Sequence, residues 1–489
     1  MRRCAHGAVR AAARPLRLAL LLLFGSALGC ASLAPREPGS ELPALDGAAT
    51  PPARVVLVSM SGLTPAAYLS APGTSGMPVL AAMASAGAAA EKVEPVVPAA
   101  AYPAHATLAT GRLPAAHGVT ADRLLGERGS VRRRATPRPP LRAPALWEAV
   151  SGSGRRSVVL GWPGSSGGRI DLVFPESFTL EPGEEWKSWM EAHTSPGLLE
   201  AARRLGAGEA AVARSGPERD RLLVGLACET LRSRPTPALL MLRLSQAEPP
   251  LALAGPGSPE AQAALSAEDG ELGRVLTCLR DAGFADSTAV LVAGDHGALP
   301  IRSTVSPNVV LAEKGLIVPT VGGAGIQRWS AFARSNGGSA FVHAKSEQDA
   351  RLARRALEAA GERTKAFRVV PARELLEKGA DPEAWFGLEA ASGFWIGEDV
   401  SGPLVAPAPV HGSWGHVVAG EGLAPGFVAW GRGVRSGARI PILRQSDVAP
   451  TAAVLLGFEL GALDGQPIAA ALSLPAVGAP PAKESAHAP

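Results

Sequence analysis

The sequence predicts an α/β layered fold around a mainly parallel β-sheet, and three observations carry that prediction. Short, continuous apolar runs recur at residues 54–59 (RVVLVS), 156–160 (RSVVL), 238–242 (ALLML) and 289–293 (AVLVA). They lack the polar alternation of a strand with one wet face, so they read as strands covered on both sides. Helix-like segments lie between them, at residues 77–87, 145–150, 219–231 and 259–281. With 489 residues, 46% of them hydrophobic, the chain can bury a large core as one domain or as a domain with an insertion. Strands alternating with helices give a parallel sheet with helices on its faces. In such a sheet the ligand site lies at the carboxyl ends of the strands.

Along the chain, residues 1–29 read as an export signal. Arg2, Arg3, Arg10, Arg14 and Arg17 form a basic segment, and residues 18–24 (LALLLLF) an apolar core of signal-peptide length. That core is too short for an ordinary membrane span. Ala27-Leu28-Gly29-Cys30 resembles a bacterial lipobox, so Cys30 is the expected acylation site and the lipid bilayer an expected partner. Ala31 rather than Asp beside it favours the outer membrane, and a soluble secreted protein cut nearby is the other reading. Removing the signal's five arginines turns a formal net charge of +4 into −1. The basic balance therefore belongs to the leader, and binding to a nucleic-acid polymer is not expected. Residues 132–134, all arginine, read as a solvated loop.

Residues 30–52 lack hydrophobic periodicity and read as a flexible spacer. Residues 53–473 form the expected domain and 474–489 a Pro/Ala-rich tail. In residues 77–87 (MPVLAAMASAG), Pro78 suits a first helical turn and Gly87 a stop. Within the domain, residues 339–400 run strand (SAFVHA), helix (SEQDARLARRALEAAG), strand (AFRVV) and helix (PARELLEKG), a small α/β insertion. Cys228 and Cys278 sit in amphipathic helical stretches, where buried free thiols are expected. A disulfide between them is permitted in an oxidising compartment, but spacing alone cannot show it.

Five segments in order resemble the type I phosphodiesterase and nucleotide pyrophosphatase family of the alkaline phosphatase superfamily. They are RVVLVSMSGLTPAAYL, the stretch from GMPVLAAMASAG to LPAAHGV, VVLGWPGSSG, ADSTAVLVAGDHGALPIRSTVSPNVVLAEKGL, and GFVAWGRGVRSG with SDVAPTAAVLLGFE. The resemblance spans roughly residues 54–470 and implies an alkaline-phosphatase-like α/β/α sandwich. It also implies two divalent cations, usually zinc, roughly 4 Å apart, held by carboxylates, imidazoles and a hydroxyl.

Carried onto this chain, the cage is incomplete. Asp295 and His296 stand at the family's Asp-His pair. Ser61 occupies the first-strand Asp position and Ala101 that of the Thr nucleophile. Registered on Gly255-Pro256, the segment LSQAEPPLALAGPGSPE puts Glu248 at an Asp position and Ala252 at a His position. The last histidine is His416, with His411 as the alternative. The expected metal ligands are thus Asp295, His296, His416 and Glu248, giving at most one weakly held zinc or other divalent cation. An alanine has no hydroxyl to attack phosphorus, and Ser61 reads as filler for a lost carboxylate. His105 and His117 read as hydrogen-bonded structural residues, and Thr107 and Thr110 as part of a helix. Two functions stay open. One is an impaired or inactive binding protein of the cell envelope, recognising a phosphate ester or an envelope protein. The other is a metal-dependent phosphodiester or phosphomonoester hydrolase with a rearranged site.

Overall fold

The computed structural model describes residues 51–70, 75–132, 141–176, 186–208, 216–322, 325–418, 420 and 422–474. The expected export signal, Cys30, nearly all of the spacer, Arg133, Arg134 and the tail from residue 475 lie outside the described residues.

The central sheet is built from β1 (Arg54–Met60), β2 (Ala88–Ala90), β3 (Ser157–Leu160), β4 (Leu172–Phe174), β5 (Leu239–Leu244), β6 (Thr288–Gly294), β7 (Phe427–Gly431) and β8 (Ala438–Ile440). Their order is β8-β2-β7-β6-β1-β5-β3-β4. β1 pairs in parallel with β5 and β6, and β3 with β5 and β4. β7 alone runs against its neighbours β6 and β2. The sheet is therefore mainly parallel, as the unbroken apolar runs require.

Helices α1 (Pro78–Ala86), α2 (Ala101–Thr110), α3 (Leu146–Gly152), α4 (Pro217–Arg232), α5 (Pro259–Asp281) and α6 (Val448–Leu456) cover it. Because side chains alternate along a strand, β1 feeds two cores. Val56, Val58 and Met60 pack with Leu240, Leu242, Val290 and Val292 beneath α1, α4 and α5. Val55 and Leu57 pack with Leu239, Met241 and Leu291 beneath α2, α3 and α6. This is an α/β/α sandwich with every β1 side chain buried.

Cys228 on α4 and Cys278 on α5 form a disulfide across a separation of 50 residues, with Cα atoms 5.4 Å apart. The two thiols expected to be free are thus joined, because α4 and α5 pack side by side. The pairing follows from that helix contact, which the spacing does not encode.

Beyond β6 lies a four-stranded antiparallel sheet ordered Ala331–Ser335, Ser339–Ala344, Phe386–Ala390, Phe367–Pro371. Helix Glu347–Thr364 covers it through Ala353, Leu357 and Ala360. The sheet takes in a strand upstream of residue 339, which pairs through the tight turn at Gly337. Among the described residues, no helix is long and apolar enough to cross a membrane.

Candidate functional site

Three neighbouring strands bring the site together at their carboxyl ends. Ser59 of β1 lies in register with Arg243 of β5 and Ala293 of β6. The residues just beyond, Ser61 and Asp295, therefore meet. Asp295 is fully buried. Its Oδ2 accepts from Ser61 Oγ at 3.1 Å. Its Oδ1 accepts from the amides of Gly62 at 3.2 Å and His296 at 2.8 Å. Gly62 has φ +76°, and a Cβ there would stand 2.1 Å from Leu251, so only glycine makes this turn.

The residue that dominates the cleft is Arg243, which the sequence reading passed over. It stands inside an otherwise apolar strand, LLMLRL, and reaches inward past the strand ends. Its Nη2 donates to Glu248 Oε2 at 2.6 Å and to Ser61 Oγ at 3.2 Å, and lies 3.9 Å from Asp295 Oδ2. Burial works against the guanidinium charge, but Glu248, Asp295 and Glu176 outweigh it and hold Arg243 firmly protonated. Burial likewise works to raise the Asp295 carboxyl. The Arg243 guanidinium and the Gly62 amide oppose this, and Asp295 stays below the usual carboxylate range. Glu248 opens the short helix Glu248–Leu253. Ala252 lies on the same helix, and its carbonyl accepts from the His411 amide at 2.8 Å.

His296 stacks on Trp414, with ring centroids 4.5 Å apart. Its Nδ1 donates to the Gly297 carbonyl at 3.0 Å. That leaves Nε2 as an acceptor, buried without a hydrogen-bond partner and 3.6 Å from Asp295 Oδ2. His416 is arranged similarly: Nδ1 donates to Glu389 Oε1 at 3.0 Å, and Nε2 has no partner. Glu389 Oε2 also accepts from the Val417 amide. The His416 ring lies over Gly338, where a Cβ would stand 2.1 Å from Cδ2. Of the two candidates for the last histidine, His416 is buried against a carboxylate and His411 is exposed.

Ala101 is the first residue of α2. The next amide, Tyr102 N, donates to Asp122 Oδ1 at 2.8 Å, and the Tyr102 hydroxyl donates to Glu176 at 2.8 Å. Burial pushes the Asp122 carboxyl up, with the Tyr102 amide opposing. His105 donates from Nδ1 to the Ala101 carbonyl at 2.6 Å and accepts at Nε2 from Ser59 Oγ at 2.8 Å. His117 accepts the Val119 amide at Nδ1 and donates from Nε2 to Thr107. Burial lowers both rings to about 3, so both are neutral members of the packed core. Thr110 bonds the Ala106 carbonyl within α2.

These donors do not fit a binuclear zinc centre. Both oxygens of Asp295 are already engaged, and a guanidinium stands beside them. Among the described residues, no group of three or more His, Cys, Asp or Glu side chains is placed to hold a metal ion. The structure gathers Asp295, His296, Ser61 and Glu248 around Arg243, and ties His416 to Glu389 instead.

No curated protein matches the chain. The fold is similar to that of human ectonucleotide pyrophosphatase/phosphodiesterase 5, with a TM-score of 0.60, 17% identity, and coverage of 84% of this chain and 97% of that one. The murine form of that protein gives a TM-score of 0.59 at 17% identity and the same coverages. A murine form described as an inactive threonine-to-alanine variant in complex with AMP gives 0.58, again at 17% identity with the same coverages. The profile of type I phosphodiesterase / nucleotide pyrophosphatase matches residues 55–414. Fold and profile agree over most of the chain, which therefore belongs to the type I phosphodiesterase/nucleotide pyrophosphatase family.

Proposed function

We propose that this protein is a catalytically inactive member of its family, exported, held in the cell envelope by an acylated Cys30, and acting as a binding protein. The observation that carries the reading is the cluster at the strand ends. A buried guanidinium is bonded to Ser61 and Glu248 beside Asp295, where the family's chemistry calls for metal. Ala101, at the position of the attacking hydroxyl, can form no alkoxide. The murine variant described as inactive carries a threonine-to-alanine change as well, and it holds AMP. Loss of a hydroxyl is thus compatible with a family fold that still binds.

Charge decides what this cleft prefers. Asp295, Glu248, Asp122 and Glu176 gather around Arg243, an environment that disfavours a phosphate ester. An envelope protein is the better partner on that ground. Export is supported by the Cys228–Cys278 disulfide, since such bonds persist in oxidising compartments.

The rival reading, a hydrolase with a single cation, draws on the unpartnered Nε2 atoms of His296 and His416. Turnover of nitrophenyl phosphodiesters and monoesters with and without zinc separates the two. The expected wild-type rate equals the buffer background, because each ~1.4 kcal/mol of lost transition-state stabilisation is tenfold. Zinc-dependent turnover abolished by Asp295→Ala would refute the inactive reading.

A further inference from the structure

We infer that Arg243 and Asp122 are in-chain stand-ins for the two charged species this fold otherwise brings together, a divalent cation and a phosphoryl anion. The inference deepens the inactive reading and rests on it.

The cation half rests on Arg243. A buried carboxylate such as Asp295 needs a positive partner, because desolvation of an unpaired charge is costly. Arg243 Nη2 lies within 3.9 Å of Asp295 and 2.6 Å of Glu248, and it bonds Ser61 at 3.2 Å. One tethered group thus contacts three of the positions the family resemblance assigns to the metal cage. Because the guanidinium is part of the chain, the neutralisation needs no metal from outside and survives any chelator.

The anion half rests on Asp122. Amides at a helix N-terminus favour an anion. In α2, whose first residue is Ala101 at the nucleophile position, the Tyr102 amide is taken by Asp122 Oδ1 at 2.8 Å. A carboxylate of the chain thus occupies a donor that would otherwise face a phosphoryl oxygen. The cleft is charge-satisfied from within, closed to zinc and to phosphate alike.

The test uses the purified protein, with zinc, inorganic phosphate and AMP as probes, read by thermal denaturation and titration calorimetry. Wild type should melt at the same temperature with excess zinc as with a chelator, and should give no binding heat with phosphate or AMP. Arg243→Met should melt lower and gain a chelator-reversible rise of several degrees on adding zinc. Adding Asp295→Asn to that variant should remove the gain. Asp122→Ala, which removes the acceptor and so frees the Tyr102 amide, should acquire binding of phosphate or AMP at least tenfold tighter than wild type. Should Arg243→Met fail to fold, Glu248→Gln keeps the guanidinium and is expected to stay indifferent to zinc. A zinc response in Glu248→Gln or in wild type would overturn the cation half, as would an Arg243→Met protein indifferent to zinc. An Asp122→Ala protein that binds phosphate no better than wild type would overturn the anion half. Hydrolysis is a separate readout: zinc-blind protein that turns over esters refutes inactivity alone, and zinc-binding protein without turnover refutes the stand-ins alone.

Discussion

Removing the Cys228–Cys278 disulfide should destabilise the domain by an amount its geometry sets. The bond closes a loop of 50 residues, and in the chain-entropy account such a loop is worth about 4 kcal/mol at 25 °C. Spread over the 392 described residues, each contributing roughly 2 cal/mol/K of unfolding entropy, this corresponds to a fall in Tm of about 5 °C. Calorimetric melts of wild type and a Cys228→Ala/Cys278→Ala variant, each with and without reductant, measure it. Reductant should lower wild type by that amount and leave the variant unmoved. Thiol titration of unfolded, unreduced wild type should find neither cysteine reactive. Labelling mapped to both Cys228 and Cys278, counted apart from Cys4 and Cys30, would refute the bond itself. Equal wild-type melts with and without reductant would show that packing of α4 on α5 alone fixes this layer.

Two further outcomes are expected. Cells fed a tagged fatty acid should label wild type and not Cys30→Ser; equally little label in both would refute the lipid anchor. Asp269 caps α1 by accepting the Val79 and Leu80 amides at 2.9 and 2.8 Å, and burial raises its carboxyl to about 6. Its folded value lies above its unfolded one. Its contribution to stability is therefore complete below the unfolded range near ~4 and lost as pH rises through about 6, at most about 3 kcal/mol. Asp220, also raised to about 6 by burial, acts in the same direction. Asp269→Asn should accordingly flatten only part of the profile of urea midpoints between acid and neutral pH; an unchanged profile would refute the assignment.

The sandwich was legible because strands covered on both faces cannot hide: β1, β5 and β6 show as unbroken apolar runs, and the spacing of helices between them dictates a parallel sheet. Asp295 and His296 were legible as residues just past such a strand. Arg243 was not, although its signal was present: a charge inside LLMLRL has no place in a sheet core unless it reaches a partner. Asp122 and Glu389 left no such mark. They act on Tyr102 and His416 from 20 and 27 residues away, through loop packing that no periodicity encodes. Ala101 and Ala252 were visible only as absences against the resemblance, and the charge that stands at these strand ends, Arg243, shows its partners only in three dimensions.

The Arg243 cluster also constrains how this protein could change over generations. Removing one partner from a buried charge pair costs about 3–5 kcal/mol, a large share of the 5–15 kcal/mol that typically keeps a domain folded. A lineage that lost Arg243 first would carry Asp295 and Glu248 unneutralised, with neither Thr nor His restored to recruit zinc. Placing Asp at position 61 first would add a carboxylate beside a guanidinium already committed to Glu248. On the proposed reading each single step toward a metal centre passes through a less stable protein. On that reading the arginine therefore works as a barrier: a metal centre at these strand ends is reachable only by several changes at once.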